Sequence, residues 1–281
     1  MIGVVGGVVA ALLWGTSGVA AARSSRLVGA EVALGWVYLV GLLAVIPVAA
    51  ADGLPEPGGE TYGWTALAAA AAVSSLYLMY AALRRGPVVL IMPITAAQGG
   101  IAALIAVALG ERLQPLAGVG LAAVTLGMLA VIRPPRGVES SSHPTVAIVL
   151  AGLCAALSGF ALYGSARASD SLGTPWLLLA VRTAGVLALT LPLALSGRLR
   201  APGPALRLVV FCGLADTAAF ASFIVAAGQG SIAVPAVIAS QFAAVSVLLG
   251  VLAIRERLTR TQLAGVLGIL GGVALVTAVQ S

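Results

Sequence analysis

Charge is what this sequence has least of. Acidic and basic residues supply 9% of its 281 positions, where a soluble domain carries roughly 25%. Lysine is absent, so the net charge of +6 rests on arginine alone. A single histidine, His143, and two separated cysteines, Cys154 and Cys212, cannot assemble a clustered metal centre. Both cysteines fall inside apolar stretches, where packing is the expected role rather than a disulfide. Aromatic residues are only 5% of the chain, and the basic ones are scattered through short loops. Despite a pI near 10.1, no basic patch with interleaved aromatics exists, which argues against nucleic-acid binding. Enzymatic readings fare no better. Gly15-Thr16-Ser17-Gly18 resembles a nucleophile motif, but a serine needs a base within hydrogen-bond reach, and His143 lies in a polar linker far along the chain. Glycine-rich runs lack the strand context of a phosphate loop. No ring of like charges or repeated filter suggests a channel.

Long apolar runs are what the chain does have. Hydrophobic residues make up 60% and the mean hydropathy is +1.11, more apolar surface than a water-facing globule can hide. Runs of ~18–23 residues match bilayer-spanning helices and lack the alternation of barrel strands. Thirty-five glycines suit close helix approach in lipid. Spans are expected at 2–22, 32–51, 62–83, 87–109 and 115–132, then at 146–165, 175–195, 208–228, 234–254 and 262–279. The linker between the sets, 133–145, is rich in proline and serine (RPPRGVESSSHPT). No basic residue precedes the first run, and Arg23 and Arg26 follow it, the wrong polarity for a cleaved signal. The expected fold is therefore an all-α membrane protein of ten transmembrane helices, residues 1–132 and 146–281 forming two five-helix repeats.

Those halves repeat one another. Pro93, Gln98, the corner Gly110-Glu111-Arg112-Leu113 and Gly118 recur as Pro235, Gln241, Glu256-Arg257-Leu258 and Gly265; Leu13-Trp14-Gly15 recurs as Leu157-Ser158-Gly159, 144 residues on; Pro47 recurs as Pro192. A repeat of this length dictates the architecture. Because five is odd, the second half enters the membrane from the opposite side, giving an inverted repeat. Twelve arginines lie in the loops after helices 1, 3, 5, 7 and 9; the positive-inside rule makes those loops cytoplasmic and puts both termini outside.

Together Trp14-Gly15, Pro93, the Gly-Glu-Arg-Leu corner, Arg182 within the seventh span, Pro235 and Glu256-Arg257-Leu258 resemble the EamA-type transporters of the drug/metabolite transporter superfamily. The resemblance implies a secondary carrier of small organic metabolites, often an exporter of amino acids or related compounds, in the plasma (inner) membrane. It also implies alternating access, a cavity lined by the first, third and fourth helices of each half, and cytoplasmic termini, against the arginine distribution. A membrane sensor or scaffold without flux is the alternative from another class. It would have a packed apolar centre and no polar cavity.

Ionisable groups inside spans are few and costly, so they face the bundle interior. Asp216 is either a proton-coupling acid or a hydrogen-bonded structural one near the end of the eighth span. Arg182 either meets a substrate carboxylate or has a structural or gating role. Pro93 and Pro235 interrupt the fourth and ninth spans, freeing carbonyls that the amides of Gln98 and Gln241 can reach. Trp14, Thr16 and Ser17 lie at similar depth, and Ser74, Tyr77 and Tyr80, spaced at three, share one helix face as pocket residues or as an interhelical hydrogen-bond stripe. Tyr163 and Phe220 are weaker cavity candidates, an interfacial tyrosine being more often a belt residue. Glu111 and Glu256 are expected to shape bends at the membrane face. No cofactor and no metal are expected, with proton coupling the one ionic requirement considered. The expected partners are a small-molecule substrate and the lipid bilayer, with the chain acting as a monomer.

Overall fold

Inside a bilayer each backbone N–H and C=O must be satisfied within its own segment. The computed structural model of the chain is accordingly helical, with no strand among the residues it describes. Those residues are 2–55, 58–111 and 144–254, with isolated positions between 115 and 126 and between 261 and 275. Among the described residues, seven helices are long and apolar enough to cross a membrane. They are α1 (Ile2–Val28), α2 (Ala30–Ala51), α3 (Gly59–Arg85), the consecutive pair α4 (Val88–Thr95) and α5 (Gln98–Ala108), α6 (Pro144–Leu172), α7 (Thr174–Leu195) and α8 (Leu206–Ala227). Two shorter apolar pieces follow, α9 (Ala233–Ala239) and α10 (Phe242–Ile254). The expected fifth and tenth spans fall largely outside the described residues, as do the linker and Glu256.

Several helices outrun their apolar stretches. The first span was expected to stop at Ala22 and the sixth at 165, yet α1 continues to Val28 and α6 to Leu172. The added turns carry Arg23, Arg26 and Arg167, whose aliphatic stems can lie along a helix while the heads reach polar ground. The link from α1 to α2 pivots on Gly29 (φ 91°), and the link from α6 to α7 pivots on Gly173 (φ 79°), 144 residues later. Only glycine adopts that backbone freely.

Packing between the halves is reciprocal. The largest interfaces are α1 against α8 and α3 against α6; α2 also meets α8, as α7 meets α3, and α1 lies on α9 and α10 as α6 lies on α4 and α5. Close approach supplies the attraction, since lipid offers no hydrophobic drive between helices. The buried core is accordingly rich in alanine (Ala10, Ala33, Ala68, Ala82, Ala151 and Ala219 among them), while Leu43, Leu104, Leu187 and Leu214 point outward. One glycine pair makes equivalent close contacts in the two halves. A side chain at Gly15 would strike Val245 and the Phe242 carbonyl; one at Gly159 would strike Ile101 and the Gln98 carbonyl. Each member of the second triad lies 144 residues from its counterpart in the first.

Both breaks fall beyond their prolines. The ladder tightens at Ala96–Ala97, where Ala97 donates to Ile94 and Gly99 to Ala96, and at Ser240–Gln241, where Gln241 donates to Ile238. Pro235 sits in the first turn of α9, where a missing N–H costs nothing.

The loops sort by charge. Arg26 donates to the Gly86 carbonyl, Arg198 pairs with Glu31 at 2.8 Å, and the Trp36 indole donates to the Arg200 carbonyl, all at one face. At the other, Trp176 donates to the Gly53 carbonyl and Thr61 bonds Ser171, near Asp52, Glu60 and Asp170.

Candidate functional site

A central cavity of about 90 Å³ lies between the halves, smaller than the ~300–1,000 Å³ of a typical ligand pocket. Its wall is built from pairs 144 residues apart: Trp14 with Ser158, Tyr38 with Arg182, Ala72 with Asp216, Leu76 with Phe220, and Gln98 with Phe242. The repeat therefore places the wall, and each half then fills its positions with different chemistry.

The polar centre of that wall belongs to the second half. Arg182 Nη2 donates to Asp216 Oδ2 at 2.7 Å, and the Trp14 indole donates to Asp216 Oδ1 at 2.9 Å. Arg182 is almost fully buried, whereas the Asp216 side chain keeps 17% of its surface. The pair answers the cost of a lone charge in the bilayer, about 2.5–3.5 kcal/mol on insertion scales. Beneath it helices α2 and α7 interlock. The Tyr38 ring packs where a side chain on Gly185 would sit, and Arg182 packs where one on Gly41 would sit. The guanidinium carbon lies 5.7 Å from the Tyr38 ring centre, within cation–π range. Among the described residues, Tyr38 Oη and Arg182 Nε are buried with no hydrogen-bond partner.

The structure sorts the expected site residues plainly. Trp14, Ser17, Tyr80, Gln98, Arg182, Asp216 and Phe220 line the cavity. Asp216 lies at the middle of α8, not near its end. Thr16 does not line it; its hydroxyl bonds the Leu12 and Leu13 carbonyls. Ser74 is exposed, and Tyr77 is half-buried against the core. Spacing by three drifts ~60° per step around a helix, so Ser74 and Tyr80 diverge by ~120°. The cavity face of α3 runs through Ala72, Ser75, Leu76, Met79 and Tyr80 instead. Gln241 is also off the wall, its amide donating back to the Val237 carbonyl of α9. Pro93 and Pro235, expected to interrupt their spans, instead lie inside α4 and α9, short of the breaks, and do not line the cavity. Sequence reasoning missed Tyr38, Ser75, Met92, Cys154, Ser158, Cys212 and Phe242. The 144-residue offset, applied from Trp14, Arg182 and Gln98, points to Ser158, Tyr38 and Phe242.

Glu111 does more than shape a bend. The helix before it closes through Gly110 (φ 104°), with Glu111 N–H bonding the Ala106 carbonyl and Gly110 N–H that of Val107, a Schellman ending. The Glu111 carboxylate then crosses to the second half. It accepts from the Ser231 hydroxyl at 2.5 Å and from the Ile232 and Ala233 N–H groups at 3.2 and 3.4 Å, capping α9. A second, polar cavity of about 290 Å³ opens there, lined by Glu111, Tyr163, Arg167 and Asp170. Tyr163 belongs to this cavity and stacks edge-on against Trp64 at 5.8 Å. Among the described residues no cluster of histidine, cysteine or acid is arranged to hold a metal.

The model of the EamA-like transporter family matches residues 1–133 and 145–278. The chain belongs to the EamA-like transporter family. It is thus a multi-pass membrane protein in a family of small-molecule transporters rather than enzymes. One solved crystal structure superposes with a TM-score of 0.79 at 20% identity, covering 99% of this chain and 96% of its own, which shows a shared fold. No curated protein matches the sequence.

Proposed function

We propose that this chain is a ten-helix carrier of two inverted repeats, exporting a small organic metabolite such as an amino acid across the plasma (inner) membrane by alternating access. The observation that carries the reading is the central cavity, walled by equivalent positions of both halves and holding a buried ion pair. A sensor or scaffold has no use for such a centre; it gains more from packed apolar side chains. Reciprocal packing of α1 with α8 and α3 with α6 supports two repeats able to rock about the cavity. The helix breaks at Ala96–Ala97 and Ser240–Gln241 supply hinges through which a cavity this small can widen. The arginine-rich face is read as cytoplasmic, and the chain as self-sufficient. Asp216 is assigned to a static charge pair, since both its oxygens already accept.

Counterflow of labelled amino acids and related metabolites in proteoliposomes tests the reading. Saturable exchange that protein-free vesicles lack is expected; no exchange for any solute of this size overturns it. A proton gradient that drives wild-type flux but not that of Asp216→Asn, while exchange persists, would return the coupling role to Asp216.

A further inference from the structure

Resting on the carrier reading, the cavity wall carries a rule about its cargo. We propose that the central cavity selects solutes of zero net charge, either uncharged molecules or zwitterions.

Among the described lining residues the wall holds one guanidinium and one carboxylate, and they are bonded to each other at 2.7 Å. Neither charge is left over. Asp216 Oδ1 is engaged by Trp14 and Oδ2 by Arg182, while the arginine presents almost no surface. The first half adds no charge, because the positions equivalent to Arg182 and Asp216 are Tyr38 and Ala72. The remaining wall is apolar or uncharged: Leu76, Met79, Phe220 and Phe242 on one account, Ser17 and Gln98 on the other. A solute with a net charge would enter a low-dielectric space with no free counter-charge, where unpaired charge is most costly. A zwitterion brings its own counter-charge. An uncharged solute uses hydrogen bonds alone.

Selectivity should then follow the wall's charge. Purified protein is incubated with an equimolar mixture holding equal numbers of cationic, anionic, zwitterionic and uncharged solutes of amino-acid size, and the retained solutes are identified by mass spectrometry. Wild type is expected to retain net-neutral solutes, and the zwitterionic and uncharged arms tell those two sources apart. Asp216→Asn leaves a bare guanidinium and should enrich anions over cations by roughly tenfold or more; Arg182→Gln should enrich cations to a similar degree. The double variant Arg182→Gln with Asp216→Asn has a neutral wall again and should return to net-neutral solutes, which keeps the rule testable where a single variant fails to fold. Retention mainly of charged solutes by wild type overturns the charge rule and leaves the carrier reading standing, as does an identical shift in both single variants. Retention of nothing by any of the four proteins overturns the carrier reading and the charge rule with it.

Discussion

The two halves of this molecule agree where backbones touch and disagree where side chains face the cavity. Gly15 and Gly159, Gly41 and Gly185, Gly29 and Gly173 are equivalent in sequence and equivalent in task. Tyr38 and Arg182, or Ala72 and Asp216, are equivalent in position only. Helix packing tolerates little change, because a side chain added at a close contact has nowhere to go. A cavity wall has room, so each half can carry different chemistry without moving the other. Symmetry sets the frame, and the second half alone supplies the charge.

The sharpest break of that comparison is at the ion pair. Arg182→Gln or Asp216→Ala should each cost ~3–5 kcal/mol, the usual loss on stranding one buried partner, seen as a fall in thermal unfolding temperature in detergent. Arg182→Gln with Asp216→Asn should recover most of it, whereas Ala72→Ser in the first half should change little. Comparable losses at Ala72 and Asp216 would show that the asymmetry is only apparent.

Next come the glycine contacts. Gly15→Val and Gly159→Val, like Gly41→Val and Gly185→Val, should each lower stability by about 1–3 kcal/mol, with similar losses inside each pair. A large loss at one member and none at its mate would break the equivalence of the halves. Glu111→Ala should cost ~1 kcal/mol, as for the loss of a helix cap. Its effect should be read at α9, as faster amide exchange at Ile232 and Ala233 rather than in α5. The smallest effect is expected at Tyr38→Phe, which removes a buried hydroxyl that bonds nothing among the described residues. The change should be neutral or stabilising by up to ~1 kcal/mol in the same thermal assay. A clear loss would assign that hydroxyl a partner.

By itself the sequence determined the membrane class, the helical traverses through α8, the repeat and the family. Those rest on composition and periodicity, which act locally or recur along the chain. The fold corrected the pairing within the repeat: Gln98 is equivalent to Phe242, 144 residues on, and not to Gln241. The sequence also marked Trp14, Gln98, Arg182 and Asp216, since polar groups in apolar runs must find partners. Only the tertiary structure decided which groups meet. Ser75 rather than Ser74 faces the cavity because helix rotation is set by packing against α6 and α1, not by spacing alone. Gln241 turns back to the Val237 carbonyl of α9, and Glu111 leaves its corner to cap a helix of the other half. Arg182 and Asp216 are 34 residues apart on different helices, and Trp14 reaches the same carboxylate from 202 residues away. No local pattern encodes such a meeting; it follows from the glycine contacts that fix how α1, α2, α7 and α8 lie against one another.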